Sequence, residues 1–155
     1  MKLTTLCYVE KDEKYLMLYR NRKKNDENGG KWIGVGGKFE NTETPYECMC
    51  REVLEETGLI VTSARMRGVV TFVSDKFGCE YMFLYTVNDF EGTLHKCDEG
   101  ELEWIDKSKI YELPMWEGDA IFLDLLAKDA PYFDLKLCYE DEKLVLALLD
   151  GKKIR

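Results

Sequence analysis

The sequence predicts an α/β fold in which helices cover a mixed β-sheet, within a single domain that spans residues 1–155. Segments rich in β-branched and aromatic residues alternate irregularly with two segments of helical periodicity, a pattern typical of mixed sheets. No Pro-, Gly- or Ser-rich linker and no internal repeat divides the chain. A chain of this length buries a sizeable core without the help of disulfides.

The N-terminal part predicts a hairpin followed by a loop and a short strand. Apolar segments at 3–9 and 15–20 flank a charged turn at 10–14, which is the pattern of two antiparallel strands. Residues 21–31 are polar and begin with basic side chains, so they predict a loop. Residues 32–37 predict a short strand that is interrupted by glycines.

The segment after residue 43 carries strong helix signals. Thr44 and Glu47 form a capping box around Pro45, which occupies the first helical position. Gly58 stands where a left-handed residue commonly ends a helix, so we predict a helix between Thr44 and Gly58. Its apolar positions form one stripe that we expect to be buried: Tyr46, Met49, Cys50, Val53 and Thr57.

The remaining chain predicts three strands, one helix and a closing hairpin. Strands are expected at 69–73 and 81–87 around a turn at 74–78, and a shorter strand at 102–105. An amphipathic helix is expected at 120–127. Residues 132–139 and 143–149 predict a hairpin, although 144–149 also fits a helix.

Charge and cysteine content restrict the partner and the compartment. The net charge of −8 argues against a nucleic-acid polymer as the main partner, although bound metal and a local basic patch still admit a nucleotide. The apolar start of the chain is too short for a signal peptide, and no run approaches a membrane span. We therefore expect a cytoplasmic protein with reduced cysteines. A monomer and a homodimer both agree with the sequence.

Three carboxylates on the predicted helix indicate chemistry. Glu52, Glu55 and Glu56 stand at positions i, i+3 and i+4, which places them on one helix face. Like charges at this spacing weaken an isolated helix, so an external cation is expected to neutralise them. Mg²⁺ and Mn²⁺ prefer such oxygen ligands, and the pattern favours a divalent-metal site. The alternative is a solvated helix face, which is the usual meaning of a charged run.

The surrounding residues complete a known signature. The stretch 37–59 matches the box of the Nudix hydrolases at every defined position: Gly37, Glu43, Arg51, Glu52, Val53, Glu55, Glu56, Gly58 and Leu59. The chain therefore resembles that family. The resemblance implies an α/β/α sandwich with a mixed sheet. It also implies Mg²⁺-dependent hydrolysis of a nucleoside diphosphate that is linked to a further group.

Similarity to the MutT-like branch of the family extends over roughly residues 3–119. The metal ligands that this resemblance implies are Glu52, Glu55, Glu56, Glu99 and the carbonyl of Gly36. Either Glu52 or Glu99 would deprotonate the attacking water, and we favour Glu52. Arg51 completes the catalytic group, where we expect it to pair with a box glutamate such as Glu43 and to fix the geometry between loop and helix.

Residues outside the metal site are candidate substrate contacts. We expect Arg20, Gly37 and Lys38 to contact the triphosphate, although charged loops are commonly just solvated. Trp116 and Asp119 resemble the segment with which related enzymes hold the base. The alternatives for these two are a core aromatic residue and a helix N-cap.

These residues predict a Mg²⁺-dependent nucleoside triphosphate pyrophosphohydrolase, with 8-oxo-dGTP as the expected substrate. Water would attack the β-phosphorus and give a nucleoside monophosphate and pyrophosphate. Ile33 stands where mammalian members carry an Asn that reads the base, so recognition of the purine edge must lie elsewhere or be looser. The alternatives are another substrate, such as ADP-ribose, a dinucleoside polyphosphate or a capped RNA end, and a non-catalytic nucleotide-binding module.

Overall fold

Nine strands, two α-helices and one short 3-10 helix make up the computed structural model, which describes all 155 residues. The strands are β1 (Lys2–Lys11), β2 (Lys14–Arg20), β3 (Trp32–Ile33), β4 (Ile60–Ser74), β5 (Gly78–Glu91), β6 (Gly100–Asp106), β7 (Phe133–Glu140), β8 (Lys143–Leu149) and β9 (Lys152–Lys153). The helices are α1 (Pro45–Thr57) and α2 (Asp119–Ala127), and the 3-10 helix spans Ile110–Glu112.

All nine strands join one mixed sheet. Eight of them lie in the order β3-β2-β1-β5-β4-β7-β8-β9, and β6 pairs with β2 outside this path. The pairs β1–β5 and β4–β7 are parallel, whereas the other neighbours are antiparallel. The predicted α/β class with a mixed sheet is therefore confirmed.

The sheet separates two apolar cores, one beneath each helix. Leu6 and Tyr8 of β1 face the core that contains Phe122 of α2. Cys7 and Val9 face the opposite core, which contains the apolar residues of α1. This alternation follows from the two-residue period of a strand. The α/β/α arrangement is confirmed, and β1 contributes residues to both cores.

Helix α1 begins and ends as predicted, but its buried face is rotated. The Thr44–Glu47 capping box is present, and Gly58 ends the helix with φ 83° while its N–H donates to the Leu54 carbonyl. The prediction that Tyr46 is buried is wrong, because this side chain is 44% exposed. Cys48 and Glu56 are buried in addition to Met49, Val53 and Thr57, since this face of α1 packs against β1 and the loop at 34–37.

The strand that was predicted at 32–37 is correct only in its first two residues. β3 pairs with β2 through Trp32 and Ile33, and the chain then leaves the ladder. Only isolated bridges to β1 follow, from Val35 and from Lys38. The glycines at 34, 36 and 37 let this segment cross β1 closely, so it forms a loop above the sheet.

The C-terminal segment forms strands throughout. β7 adds to β4, and β8 folds back on β7 as an antiparallel partner, so the helical alternative for 144–149 is wrong. Phe133, Leu135, Leu137 and Tyr139 alternate into the α2 core, which explains why this hairpin is stable at the far side of the sheet.

Neither helix combines the length and the apolar composition that crossing a bilayer would require.

Candidate active site

A cavity of about 480 Å³ opens where β1, the 33–38 loop and α1 meet. Part of its lining, which we call the carboxylate wall, consists of Gly36, Gly37, Lys38, Glu52 and Glu99. Another part, the aromatic wall, consists of Ile33, Phe72, Phe77, Met82, Trp116 and Asp119. Arg20 also lines the cavity, whereas Arg51, Glu55 and Glu56 do not. The structure thus brings most of the candidate residues to one space.

Two glycines allow the loop to lie between β1 and α1. A Cβ on Gly36, whose φ is 153°, would lie 2.7 Å from the Thr5 carbonyl carbon and closer still to its oxygen. A Cβ on Gly37 would lie 2.6 Å from the carboxylate of Glu52. The loop is fixed because the Thr5 N–H donates to the Gly37 carbonyl at 2.9 Å. No other residue type fits these two positions without movement of β1 or of Glu52.

Glu56 is a buried carboxyl with one oxygen unpaired. Its Oε1 accepts a hydrogen bond from the Gly36 N–H at 2.7 Å, while Oε2 has no partner. Burial raises its pKa to about 8, and the nearby charges of Glu99 and Glu52 act in the same direction. An unpaired buried carboxylate beside two others suits a divalent cation, which would supply the missing positive charge.

The other predicted ligands are held by cations of the protein itself. Glu52 accepts from Arg51 Nη1 at 2.8 Å, and Glu99 accepts from Arg20 Nη1 at 2.9 Å. Glu55 is more than half exposed and also accepts from Arg51, at 3.1 Å. No three acidic, His or Cys side chains are grouped closely enough to hold one ion in this arrangement.

Arg51 connects the loop to the helix as expected. Its Nε and Nη2 donate to the two oxygens of Glu43 at 2.6 and 2.9 Å, which is a bidentate ion pair. Nη2 also donates to the Lys38 carbonyl at 3.0 Å. The guanidinium lowers the pKa of Glu43 to about 2. Arg51 therefore fixes the segment that carries Lys38 while it restrains Glu52.

Arg20 lies deeper than a surface phosphate ligand would. Its side chain is nearly buried, and its Nε donates to Asp26 at 2.7 Å. With Glu99 on the other side, this cation is paired twice inside the protein. Lys38, by contrast, is exposed at the rim of the carboxylate wall. Of the two basic side chains that were predicted to contact phosphate, Lys38 is the more accessible one.

The aromatic wall is built around Trp116, which is only 4% exposed and belongs to the core beneath α2, as the alternative expected, while it also lines the cavity. Its ring lies at steep angles to Phe72 and Tyr139, with centroids 5.1 and 4.9 Å away. Its Nε1 donates to Asn28 Oδ1 at 2.9 Å. Sequence reasoning missed Asn28, because an Asn in a polar loop shows no pattern that marks a contact 88 residues away.

Asp119 is a buried acid in the wall of the cavity. It is 7% exposed, and burial raises its pKa to about 8 although the charge of Lys31 acts against this. The N-cap alternative is wrong, since α2 begins at Asp119 itself, its cap is Gly118, and no side chain caps it. Asp119 therefore lines the cavity without capping α2.

The raised pKa values of Glu56 and Asp119 predict how stability depends on pH. In the absence of metal, both groups stay protonated in the folded state up to about pH 8, whereas in the unfolded chain they ionise near 4.5 and 3.8. Between these limits the folded state binds more protons, so the stability that these two groups contribute is fully present below about pH 4 and is lost as pH rises towards 8. The slope is at most about 1.4 kcal/mol per pH unit and group.

Thermal melts from pH 5 to pH 8 measure this dependence. We expect the Tm of the metal-free protein to fall over this range, and Glu56→Gln and Asp119→Asn each to reduce the slope. Mg²⁺ should raise the Tm more at pH 8 than at pH 5. A Tm that rises steadily from pH 5 to 8, in the wild type and both variants alike, would contradict the assignment of these protons.

Comparison with known proteins agrees with this architecture. The model of the NUDIX domain family matches residues 2–126. YvcI, an uncharacterized Nudix hydrolase of Bacillus subtilis (strain 168), is 32% identical over 161 residues, covering 100% of this chain and 98% of that protein. An oxidized purine nucleoside triphosphate hydrolase of Danio rerio is 31% identical over 126 residues, covering 81% and 79%.

A solved structure extends the likeness to the C-terminal strands. The mutator MutT protein from Bacillus halodurans superposes with a TM-score of 0.87 at 28% identity, over 98% of this chain and 99% of that one. Members of the matched family act on phosphoric anhydride bonds of nucleotides and generally use divalent cations. The domain match, the full-length relative and this structure lead to one conclusion: the chain belongs to the Nudix hydrolase family, in its MutT-like branch.

Proposed function

We propose that this protein hydrolyses oxidised purine nucleoside triphosphates, above all 8-oxo-dGTP, to a nucleoside monophosphate and pyrophosphate. The observation that carries the proposal is one cavity that joins the carboxylate wall to an aromatic wall containing a buried acid. The printed function of the Danio rerio relative supports this substrate class. The reaction would remove damaged nucleotides from the cytoplasmic pool.

The carboxylates are the proposed Mg²⁺ ligands, and Mn²⁺ would substitute. The set comprises Glu52, Glu55, Glu56 and Glu99 with the carbonyl of Gly36. The unpaired Oε2 of Glu56 supports it most directly. When bound, the cation neutralises phosphate oxygens and makes water a better nucleophile. Arg51 bonds one oxygen of Glu52 and Arg20 bonds one oxygen of Glu99, so each of these carboxylates keeps a second oxygen for a cation.

The protein's own groups would hold the phosphates and move the proton. Lys38 at the cavity rim, Arg20 and the backbone of Gly37 would contact the triphosphate. Glu52 would accept the proton of the attacking water, with Glu99 as the alternative base. Burial already raises the pKa of Glu52 above its ordinary value, which makes its carboxylate a better proton acceptor.

The aromatic wall would bind the base. Because the pKa of Asp119 is about 8, its carboxyl is largely protonated at neutral pH and can donate a hydrogen bond to an acceptor atom of a purine. Trp116 and Phe72 provide apolar surface beside it. Ile33 offers no hydrogen bond, so Asp119 is the group from which we expect discrimination.

Chromatographic analysis of the products is the direct test, because it detects pyrophosphate and nucleoside monophosphate from the triphosphates and the nucleotide products of the other substrates. The purified protein is supplied with 8-oxo-dGTP, dGTP, ADP-ribose and a dinucleoside polyphosphate, each with Mg²⁺ and with a chelator. We expect Mg²⁺-dependent turnover with the highest kcat/KM on 8-oxo-dGTP. Near-zero turnover of both 8-oxo-dGTP and dGTP would refute the proposal, and turnover of ADP-ribose alone would replace it.

Asp119→Ala is predicted to remove base discrimination. Loss of the donated hydrogen bond should raise KM for 8-oxo-dGTP about tenfold, with little change in kcat, because the phosphate contacts remain. Asp124→Ala is the matched control, since Asp124 lies on the same helix and its side chain is 53% exposed. If the two variants give the same ratio of kcat/KM between 8-oxo-dGTP and dGTP, Asp119 does not read the base.

A further inference from the structure

The hairpin of β7 and β8 lies outside residues 2–126, which the family model matches, yet it contacts three consecutive residues that begin with Trp116 of the aromatic wall. Backbone or side chains of the hairpin reach Trp116, Glu117 and Gly118. These three residues lead directly into Asp119. The hairpin is therefore in a position to fix the whole segment that would face a base.

Tyr139 of β7 makes the central contact. Its hydroxyl accepts a hydrogen bond from the Gly118 N–H at 2.8 Å, and its ring lies 4.9 Å from that of Trp116. A Cβ on Gly118 would lie 2.6 Å from the same hydroxyl, so the fit is tight. Tyr139 thereby sets where α2 begins, and with it the position of Asp119.

Glu142, in the turn of the hairpin, acts through Lys31. It forms an ion pair with the Lys31 ammonium, which lies 4.4 Å from the centre of the Trp116 ring. Lys31 does not line the cavity, so it covers Trp116 from outside. With Asn28 holding the indole N–H, Trp116 is restrained at both its edge and its outer face.

Glu117 completes the connection. Its Oε1 accepts from the Leu144 N–H at 2.9 Å, and its other oxygen accepts from Arg155 at 3.1 Å. These contacts join the segment to β8 and to the last residue of the chain. Asn28 and the rings of Phe72 and Phe77 also hold the Trp116–Gly118 segment. Its other side-chain contacts come from the C-terminal hairpin, from Arg155, and from Lys31, which pairs with the hairpin.

We propose that the β7–β8 hairpin is a specificity element of this enzyme. In it, Tyr139 and Glu142 are positioning residues that hold Trp116 and Asp119 where they can bind the nucleobase. The inference rests on the proposed function, in which these two residues face the base. The hairpin would then take part in substrate choice although it lies outside the Nudix box at residues 37–59. Changes in the hairpin should then affect binding of the base and leave the phosphate chemistry alone.

The experiment uses Glu142→Gln and Tyr139→Phe in the full chain. Glu142→Gln removes the ion pair at an exposed side chain, and Tyr139→Phe removes the hydroxyl but keeps the ring. The matched controls are Glu140→Gln and Tyr132→Phe, both at exposed positions close by. The values of kcat and KM are measured with 8-oxo-dGTP, with dGTP and with 2-deoxyribose 5-triphosphate, which lacks a base.

We expect both hairpin variants to raise KM for 8-oxo-dGTP about three- to tenfold with kcat within about twofold. Neither should change the parameters for the base-free triphosphate, and the controls should match the wild type. A double variant Lys31→Met/Glu142→Gln should resemble Lys31→Met alone, because both changes act through Trp116. A conservative Glu142→Asp should recover part of the loss.

The hairpin's role would be overturned if its variants impaired turnover of the base-free triphosphate as much as that of 8-oxo-dGTP. It would also be overturned if their kcat and KM values equalled those of the control variants. If the wild type turns over no triphosphate but calorimetry shows binding of 8-oxo-dGMP, the proposed function fails. The Kd values of the same variants for that monophosphate then still decide the hairpin's role. Absence of both turnover and binding would overturn the two proposals together.

Discussion

Glu52→Gln is expected to lower kcat by about 10²- to 10⁴-fold while the protein stays folded. The amide cannot accept a proton from water, and it is a poorer cation ligand than a carboxylate. Its shape is retained, so it still fits against Gly37 and still accepts from Arg51 through its oxygen. Steady-state pyrophosphate release in saturating Mg²⁺ measures the loss, and circular dichroism with a thermal melt checks the fold.

Glu103→Gln on β6 is the control for this change, because Glu103 is exposed and does not line the cavity. Its kcat should equal that of the wild type. A near-normal kcat in Glu52→Gln would indicate that Glu99, and not Glu52, accepts the proton from water. Glu99→Gln would then show the large decrease in kcat. A metal titration of each variant separates loss of the proton acceptor from loss of a metal ligand, since only the loss of a metal ligand is relieved by more Mg²⁺.

Gly36→Ala is expected to reduce the free energy of unfolding by about 3 kcal/mol or more and to abolish turnover. The added methyl group would collide with the backbone of Thr5, which cannot move without disturbing the pairing of β1 with β5. Displacement of the loop would also remove the hydrogen bond that orients Glu56. Urea denaturation gives the loss of stability, and the pyrophosphate assay gives the loss of activity.

Gly78→Ala separates this collision from backbone strain. Gly78 also has a positive φ, 85°, but no atom lies within 4 Å of the position of its Cβ. We expect a cost of about 1 kcal/mol there and unchanged activity. An equal loss of stability in both variants would show that strain alone, and not contact with β1, makes Gly36 a glycine.

Local signals were sufficient for α1 and its box. The cap at Thr44, the end at Gly58 and the Arg51–Glu43 pair all depend on residues within one segment, and the structure contains each of them. The spacing of the glutamates was likewise enough to place them on a helix. It was not enough to show that Glu56 is buried, because its burial comes from contact with Gly36 across the loop.

Features that depend on distant parts of the chain could not be predicted. Tyr46 occupies an apolar position of α1, yet it is exposed because the sheet lies beneath the neighbouring face. Asn28 and Glu142 belong to polar segments without any pattern, and only the fold brings them to Trp116, directly or through Lys31. Periodicity and capping describe an element by itself, whereas these contacts depend on how elements are arranged.

The pairing of β1 has a consequence for the order of folding. β1 meets β2 through only two residue pairs next to the turn, whereas eight of its residues pair in parallel with β5, about 80 positions later in the chain. On the ribosome, the first strand must therefore wait for β5 before it gains its main partner. Thr5, which anchors the glycine loop, lies in this late pair. Such long-range pairing slows folding, and we expect the glycine loop to be among the last parts to become ordered.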